Sequence, residues 1–221
     1  MLAALLLVLR RHPSAILLAG QLAGVLIYPV LESSDVGRSL FSVFGIAILG
    51  LVVLTARSTR GFTGVAIVLG VPATVLLLIQ AITQDDSLLA WSSGLEALLY
   101  FYTAGALVAY MLEDHVITRD ELFAVGATFT LVAWGFAYVF TVYQEIEPGG
   151  FTTGADPRTW MELLFLSFTT ISSVGLSDVV PVTPFARSLL MIEQIAGVGY
   201  VAILVSRVVG LTVLHGAARR G

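Results

Sequence analysis

The sequence predicts an all-α membrane protein with six transmembrane helices and one short re-entrant helix and loop between the fifth and the sixth. Three observations lead to this prediction. The 221 residues are 57% hydrophobic and only 12% charged, with a mean hydropathy of +0.95, a composition too apolar for a water-soluble surface. Six stretches approach the length of about 20 apolar residues that a helix needs to cross a bilayer. The connection between the last two is much longer than the others and contains a shorter apolar stretch.

The six predicted spans are helical, because backbone N–H and C=O groups in lipid must pair within their own segment. The apolar start of the chain precedes Arg10 and Arg11, and this order does not fit a cleaved signal peptide. The spans are Pro13–Leu31, Ser39–Ala56, Gly61–Ala81, Ser87–Leu112, Leu122–Val142 and Ser188–Leu214.

The arginines set the predicted orientation. The chain has no lysine, and most of its arginines fall on one side of the even-numbered set of spans. By the positive-inside rule that side is the cytoplasm. We therefore expect a multi-pass protein of the plasma or inner membrane with both termini in the cytoplasm. The arginines on that side are Arg10, Arg11, Arg57, Arg60, Arg119, Arg219 and Arg220, with Arg207 near the same end of span six.

The composition also argues against several classes of function. The chain has no cysteine, so it has no disulfide and no thiolate metal site. Its net charge is −4 and no run of basic residues suggests nucleic acid. His12, His115 and His215 lie at predicted span ends without the spacing of metal ligands. We expect no cofactor, no resident metal and no enzyme activity.

The long connection, Tyr143–Arg187, carries the functional signal. Pro157 followed by Thr159–Phe168 predicts a helix of about ten residues, too short to span the membrane. The segment after it, from Thr169 to Asp178, is not helical in pattern. Non-helical backbone at membrane depth is tolerated where it is buried in protein or lines a wet cavity. Carbonyl groups that face such a cavity can replace the water shell of a cation.

From about Val116 to Leu211 the sequence resembles the pore module of the potassium-channel family, and in particular that of small bacterial six-span ion channels. The resemblance implies a homotetramer that conducts cations passively, with residues 173–178 as the selectivity filter and potassium or another monovalent cation as the permeant ion. The segments that carry it are Glu147–Phe151, Phe165–Thr170, the filter and Pro181–Leu189.

The filter departs from the family pattern Thr-Val-Gly-Tyr-Gly-Asp, because this chain has Ser173, Val174, Gly175, Leu176, Ser177 and Asp178. Leu176 lacks the bracing hydroxyl of the family's tyrosine. The family uses glycine at the position of Ser177, where the backbone needs a positive φ that costs other residues about 1–2 kcal/mol. Either the outer filter is strained or it follows another path, and potassium selectivity is expected to be reduced. Asp178 is expected at the outer mouth, as an acidic ring or a helix cap.

Two glycines and two acidic residues inside predicted spans are further candidates. The resemblance implies a gating hinge near Gly197, with Gly199 beside it, whereas close helix packing is the alternative interpretation. Intramembrane carboxyl groups are costly and suggest function. The resemblance places Glu193 behind the filter, where we expect it to hydrogen-bond pore-helix hydroxyls rather than to line the ion path. Glu96 is expected to be a buried carboxyl satisfied by Ser92, Ser93 or Tyr100 on its own helix, or a proton sensor.

We expect two domains: a four-helix domain over residues 1–115 and a pore domain over 116–221. The first domain matches a voltage sensor only in helix count, because the fourth span contains no arginine. No soluble regulatory domain is expected after Leu214. We expect self-association and the lipid bilayer as partners, and no nucleic acid. A non-conducting or regulatory channel-like subunit and a secondary transporter remain the alternatives.

Overall fold

The computed structural model describes residues 13–31, 44–52, 63–83, 86–113, 119–151 and 157–218. These residues form helices joined by short turns, and the described ranges contain a single isolated β-bridge, between Phe151 and Pro181. The helices are α1 (Pro13–Leu31), α2 (44–52), α3 (Thr63–Thr83), α4 (Leu89–Glu113, after a 3₁₀ turn at Asp86–Leu88), α5 (Arg119–Ile146), α6 (Trp160–Ile171) and α7 (Pro184–Ala218).

Five of these helices are long and apolar enough to cross a membrane, and α6 is not. The all-α membrane fold with a short helix between the last two spans is therefore confirmed. The helices α1, α3, α4, α5 and α7 correspond to predicted spans one, three, four, five and six. The second predicted span, Ser39–Ala56, is helical over residues 44–52, and its remaining residues lie outside the described ranges.

Several helices start at positions that differ from the predicted ones, and two of these differences have local chemical reasons. Thr159 is the N-cap of α6 rather than its first helical residue, because its hydroxyl accepts a hydrogen bond from the backbone N–H of Glu162. Helix α7 begins at Pro184, four residues before the predicted start at Ser188. Proline suits the first helical position, since its fixed φ fits the helix and its missing N–H would have no helical partner there.

Helix α5 lies at the centre of the packing. Helices α1 and α4 contact it, and α6 and α7 also pack against it. The buried core includes Leu107 of α4, Leu131 and Trp134 of α5 and Leu164 of α6. The expected boundary between residues 115 and 116 remains a prediction, and α4 and α5 pack together across it.

Helix α7 is much less covered by its own chain than α5 is. Large apolar side chains are exposed along the part of α7 up to Arg207, where side chains are described. They include Met191, Ile192, Ile195, Val198, Val201, Ile203 and Val205. These side chains need lipid or another copy of the chain as a neighbour, because water is a poor environment for so much apolar surface.

Candidate functional site

The N-terminal end of α6 is fixed to the C-terminal end of α5. Gln144 of α5 accepts a hydrogen bond from the backbone N–H of Arg158 at 2.7 Å and donates one to the Arg158 carbonyl at 3.0 Å. The side chain of Glu162 accepts from the backbone N–H of Thr159 and completes a capping box. The start of this short helix is thus held by the side chain of Gln144 from α5 and by its own capping box.

The C-terminal end of α6 holds the start of the loop that follows. The carbonyl of Thr169 accepts hydrogen bonds from the N–H groups of Val174 at 3.0 Å and Gly175 at 2.9 Å, and the carbonyl of Thr170 accepts from Ser173 at 3.0 Å. The last carbonyls of a helix have no hydrogen-bond donor within the helix, so the N–H groups of the loop take that role. Three consecutive N–H groups of the loop therefore point back towards α6.

The backbone conformation of the loop differs from the expected one. Among non-glycine residues of the described ranges, Ser173 alone has φ in the left-handed region, at 61°, and Gly175 has φ of 67°. Ser177 does not adopt a positive φ, so the strained alternative for the outer filter is wrong in this structure. The hydroxyl of Ser177 instead accepts a hydrogen bond from the N–H of Val179 at 3.1 Å. The segment after Gly175 follows another path because the side chain of Ser177 offers the backbone N–H of Val179 a local hydrogen-bond partner.

The strain at Ser173 was missed by the sequence reasoning. A serine in the left-handed region carries a cost of about 1–2 kcal/mol that glycine would avoid. The residue type gave no signal, because glycine and sometimes asparagine, not serine, are the residues that typically mark a left-handed turn after a helix. Ser173 lies two residues before Gly175, and this spacing indicates a positive φ at Ser173 only after the structure shows positive φ at alternate residues.

The loop borders an open groove of about 430 Å³. Helix α7 closes one side through Leu190 and Gln194. The other residues that line it are Leu166, Thr169, Thr170, Ser173, Gly175, Ser177, Val179, Val180 and Pro181. In a single chain Val174 is 68% exposed and Leu176 is 71% exposed, and Asp178 is exposed as well. The apolar side chains of Val174 and Leu176 are therefore mostly uncovered by their own chain.

The outer end of the loop is tied to the segment after α5. The N–H of Val182 donates to the carbonyl of Gly150 at 2.9 Å, and the hydroxyls of Tyr143 and Thr183 lie 2.5 Å apart. A side chain at Gly150 would overlap the ring of Tyr143. The residue at position 150 is a glycine because the Tyr143 ring lies too close to its backbone for any side chain.

The two glycines of α7 have different surroundings. A Cβ atom at Gly197 would overlap the backbone carbonyl of Ile171, at the end of α6. A Cβ atom at Gly199 would meet no atom within 4 Å. Close packing therefore accounts for Gly197, where α7 presses on the base of the loop, but it does not account for Gly199 in a single chain. The hinge role remains a prediction for both.

The two intramembrane carboxyl groups also differ in position. Glu193 of α7 is fully buried and contacts the hydroxyl of Ser167 on α6. Glu96 of α4 is buried and hydrogen-bonds Tyr138 of α5. The expected partners of Glu96 on its own helix are replaced by this tyrosine on another helix, and the nearby Ser92 bonds to Gln80 instead. Sequence spacing on one helix could not reveal a partner on a second one.

Neither carboxyl group belongs to a cluster of metal-ligating side chains within the described ranges. Glu193 and Glu96 are also absent from the lining of the groove, whereas Gln194, the neighbour of Glu193, lines it. The structure thus brings Ser173, Gly175 and Ser177 together at the groove and keeps both acidic residues away from it.

Comparison with protein families connects this chain to known proteins. A protein-family model described as "Ion channel" matches residues 97–213. The matched region runs from within α4 through α5, α6 and the loop to α7, so it starts earlier than the expected resemblance at Val116. A search of curated proteins and a search of solved structures found no match.

Proposed function

This chain belongs to the family of ion channels with a potassium-channel-like two-helix pore, and we propose that it assembles into a homotetramer that conducts monovalent cations passively across the cell membrane. The filter segment, defined as residues 173–178, supplies the ion path in this proposal. Membership in a channel family also supports the expectation that the chain is a channel and not an enzyme.

The observation that carries the proposal is that the N–H groups at the start of the loop all point towards the end of α6. The N–H groups of Ser173, Val174 and Gly175 are used by the end of α6, and positive φ occurs at alternate residues, 173 and 175. An alternating sign of φ lets successive carbonyl groups turn to the same side of the backbone. Carbonyl oxygens grouped in this way form the coordination shell that a dehydrated cation requires.

The apolar exposure of a single chain supports assembly into a ring. Each chain has one α6 and one filter segment, so several copies are needed to surround an axis. Val174 and Leu176 are exposed on the loop, and a row of apolar side chains is exposed on α7. Four copies that pack around the axis would cover these side chains and place four filter segments opposite one another.

The proposed ion path has unequal parts. Ser173, Val174 and Gly175 would offer ordered carbonyls, while Leu176 and Ser177 would offer fewer, because the alternation of φ stops at Gly175. We therefore propose potassium-like conduction with reduced discrimination against sodium. Asp178 is exposed beyond the groove, where four carboxylates would raise the local concentration of cations.

Conduction is tested with purified protein in planar bilayers. The reversal potential with potassium on one side and sodium on the other is expected to lie between zero and the value for a strictly potassium-selective pore. Asp178→Asn should lower the potassium conductance at low salt, and Glu145→Gln, which changes an exposed carboxylate at the end of α5, serves as its matched control. Absence of current in wild type would favour the non-conducting subunit, and current driven only by a coupled solute gradient would favour a transporter.

Assembly and topology need separate tests. Native mass measurement in detergent and in lipid is expected to give four copies, and a monomer or dimer in both would contradict the ring. The chain has no cysteine, so single cysteines introduced near each end can be labelled without a background. Labelling of both from the cytoplasmic side only is the expected result for the proposed orientation.

A further inference from the structure

A buried carboxyl group joins three helices beside the base of the filter segment, and its interpretation rests on the proposed channel function. Glu193 on α7 is 0% exposed. Its Oε1 atom contacts the hydroxyl oxygen of Ser167 on α6. The same hydroxyl oxygen lies 2.7 Å from the carbonyl oxygen of Ala133 on α5. One turn further along α7, Gly197 packs against the carbonyl of Ile171.

The number of hydrogen atoms available decides the direction of these two contacts. A serine hydroxyl has one hydrogen to donate, and a backbone carbonyl can only accept. The contact between Ser167 and Ala133 therefore uses the hydroxyl hydrogen. The contact between Ser167 and Glu193 then needs a hydrogen from the carboxyl group, which only the protonated acid carries.

The surroundings of Glu193 also favour the protonated, neutral carboxylic acid. Its Oε2 atom is buried and has no hydrogen-bond partner among the described residues, and no described arginine forms an ion pair with it. A buried carboxylate with one hydrogen bond and no counter-charge is very costly, whereas a neutral acid avoids most of that cost. Because Glu193 is covered by its own chain, a side chain of a neighbouring copy cannot form a direct ion pair with it.

We infer that Glu193 is held as a neutral carboxylic acid and acts as a positioning residue for the filter segment. It donates to Ser167, and Ser167 donates to Ala133, so α6 is fastened to α5 and α7 at one point. Thr169, whose carbonyl holds the amides of Val174 and Gly175, lies two residues beyond Ser167 on the same helix. The acid thus sets the position of the inner filter without touching the ion.

Substitutions separate this role from a simple packing role. Glu193→Gln keeps the shape and offers an amide N–H to Ser167, so its potassium-to-sodium permeability ratio is expected within about twofold of wild type. Glu193→Asp keeps a carboxyl group but shortens the reach, and we expect the ratio to change by about tenfold because Ser167 loses its donor. Glu193→Gln as damaging as Glu193→Asp would overturn the inference.

The second readout needs no conduction. The infrared difference spectrum between wild type and Glu193→Gln in lipid is expected to show loss of the C=O stretching band of a protonated carboxylic acid. Ser167→Ala should shift that band to higher frequency, because the acid loses its hydrogen-bond acceptor, and Glu145→Gln controls for removal of one exposed carboxyl group. Loss of a carboxylate band in Glu193→Gln instead would overturn the inference. An acid band in a protein that carries no current would refute the proposed function but would still show that Glu193 is a neutral acid.

Discussion

The two halves of the filter segment are built differently, although they are only three residues each. The inner half, Ser173–Gly175, has all three amides bound to carbonyls at the end of α6 and has positive φ at both of its ends. The outer half, Leu176–Asp178, has no such bond from Leu176 or Ser177 to α6 in the described residues, and neither has a positive φ. Leu176 is 71% exposed in one chain. The difference shows that a short helix can order only the residues within reach of its terminal carbonyls, and the rest of the loop depends on its own side chains.

The largest expected effect comes from breaking the ordered half. Gly175 has φ of 67°, a conformation that costs a residue with a Cβ atom about 1–2 kcal/mol in each copy. Gly175→Ala should therefore reduce potassium flux into proteoliposomes by at least about tenfold, the equivalent of 1.4 kcal/mol. Gly149→Ala is the matched control, because a Cβ atom there meets no atom within 4 Å and its φ is not left-handed. Flux equal to wild type in Gly175→Ala would show that the left-handed conformation is not needed for conduction.

The support under the ordered half is tested on α7. Gly197→Ala would place a Cβ atom against the carbonyl of Ile171, and overpacking of this kind costs about 1–3 kcal/mol. Gly199→Ala meets open space and replaces a weak helix former, so stability should stay equal or rise by up to about 1 kcal/mol. Thermal unfolding of the two variants in the same detergent measures the difference.

The same pair of variants also tests the hinge interpretation. If α7 bends at Gly199, Gly199→Ala should lower the open probability without lowering the unfolding temperature, because a stiffer helix resists bending. Equal unfolding temperatures for Gly197→Ala and Gly199→Ala would contradict the packing account of Gly197.

Substitutions in the outer half of the filter segment should make its backbone more like that of the inner half. Leu176→Tyr with Ser177→Gly supplies an aromatic hydroxyl and a residue that adopts positive φ freely. A serine would have to spend about 1–2 kcal/mol to adopt that conformation and a glycine would not. The outer carbonyls of the double variant are therefore free to turn to the same side as the inner ones, and we expect the potassium-to-sodium permeability ratio to rise by no more than about thirtyfold. Leu176→Tyr with Ser177→Ala controls for the tyrosine alone. If wild type already reverses at the potassium potential and the double variant leaves it there, the outer half is not the weak part.

The smallest expected effect concerns voltage. Helix α4 contains no arginine or lysine, so it carries no basic gating charge. We therefore expect conduction to depend on the filter segment and α7 rather than on movement of α4 in the membrane field. Each charge that crosses the field contributes about 2.3 kcal/mol per 100 mV. We expect open probability to change with less than about one elementary charge, measured from current over a range of voltages. A steep activation curve would place a sensor outside α4.

Much of this architecture follows from the sequence because it depends on length and composition. Apolar stretches such as Pro13–Leu31 must form helices in lipid, since their backbone groups have no other partners there. The shortness of α6 was equally predictable, because about ten apolar residues cannot cross a bilayer. The filter segment from Ser173 to Asp178 was found in another way, through its resemblance to the potassium-channel family. None of these inferences required knowledge of which helix touches which.

Tertiary structure decided the points that depend on contacts between helices or on the competition between local bonds. The sequence showed that Ser177 stands where the family has glycine, but the backbone avoids strain there because the serine hydroxyl binds the amide of Val179. The strain lies instead at Ser173, where the loop turns to pair with α6. Glu96 and Glu193 were visible as buried acids, yet their partners Tyr138 and Ser167 lie on other helices. Periodicity along one chain segment describes one face of one helix, and only packing determines what that face meets.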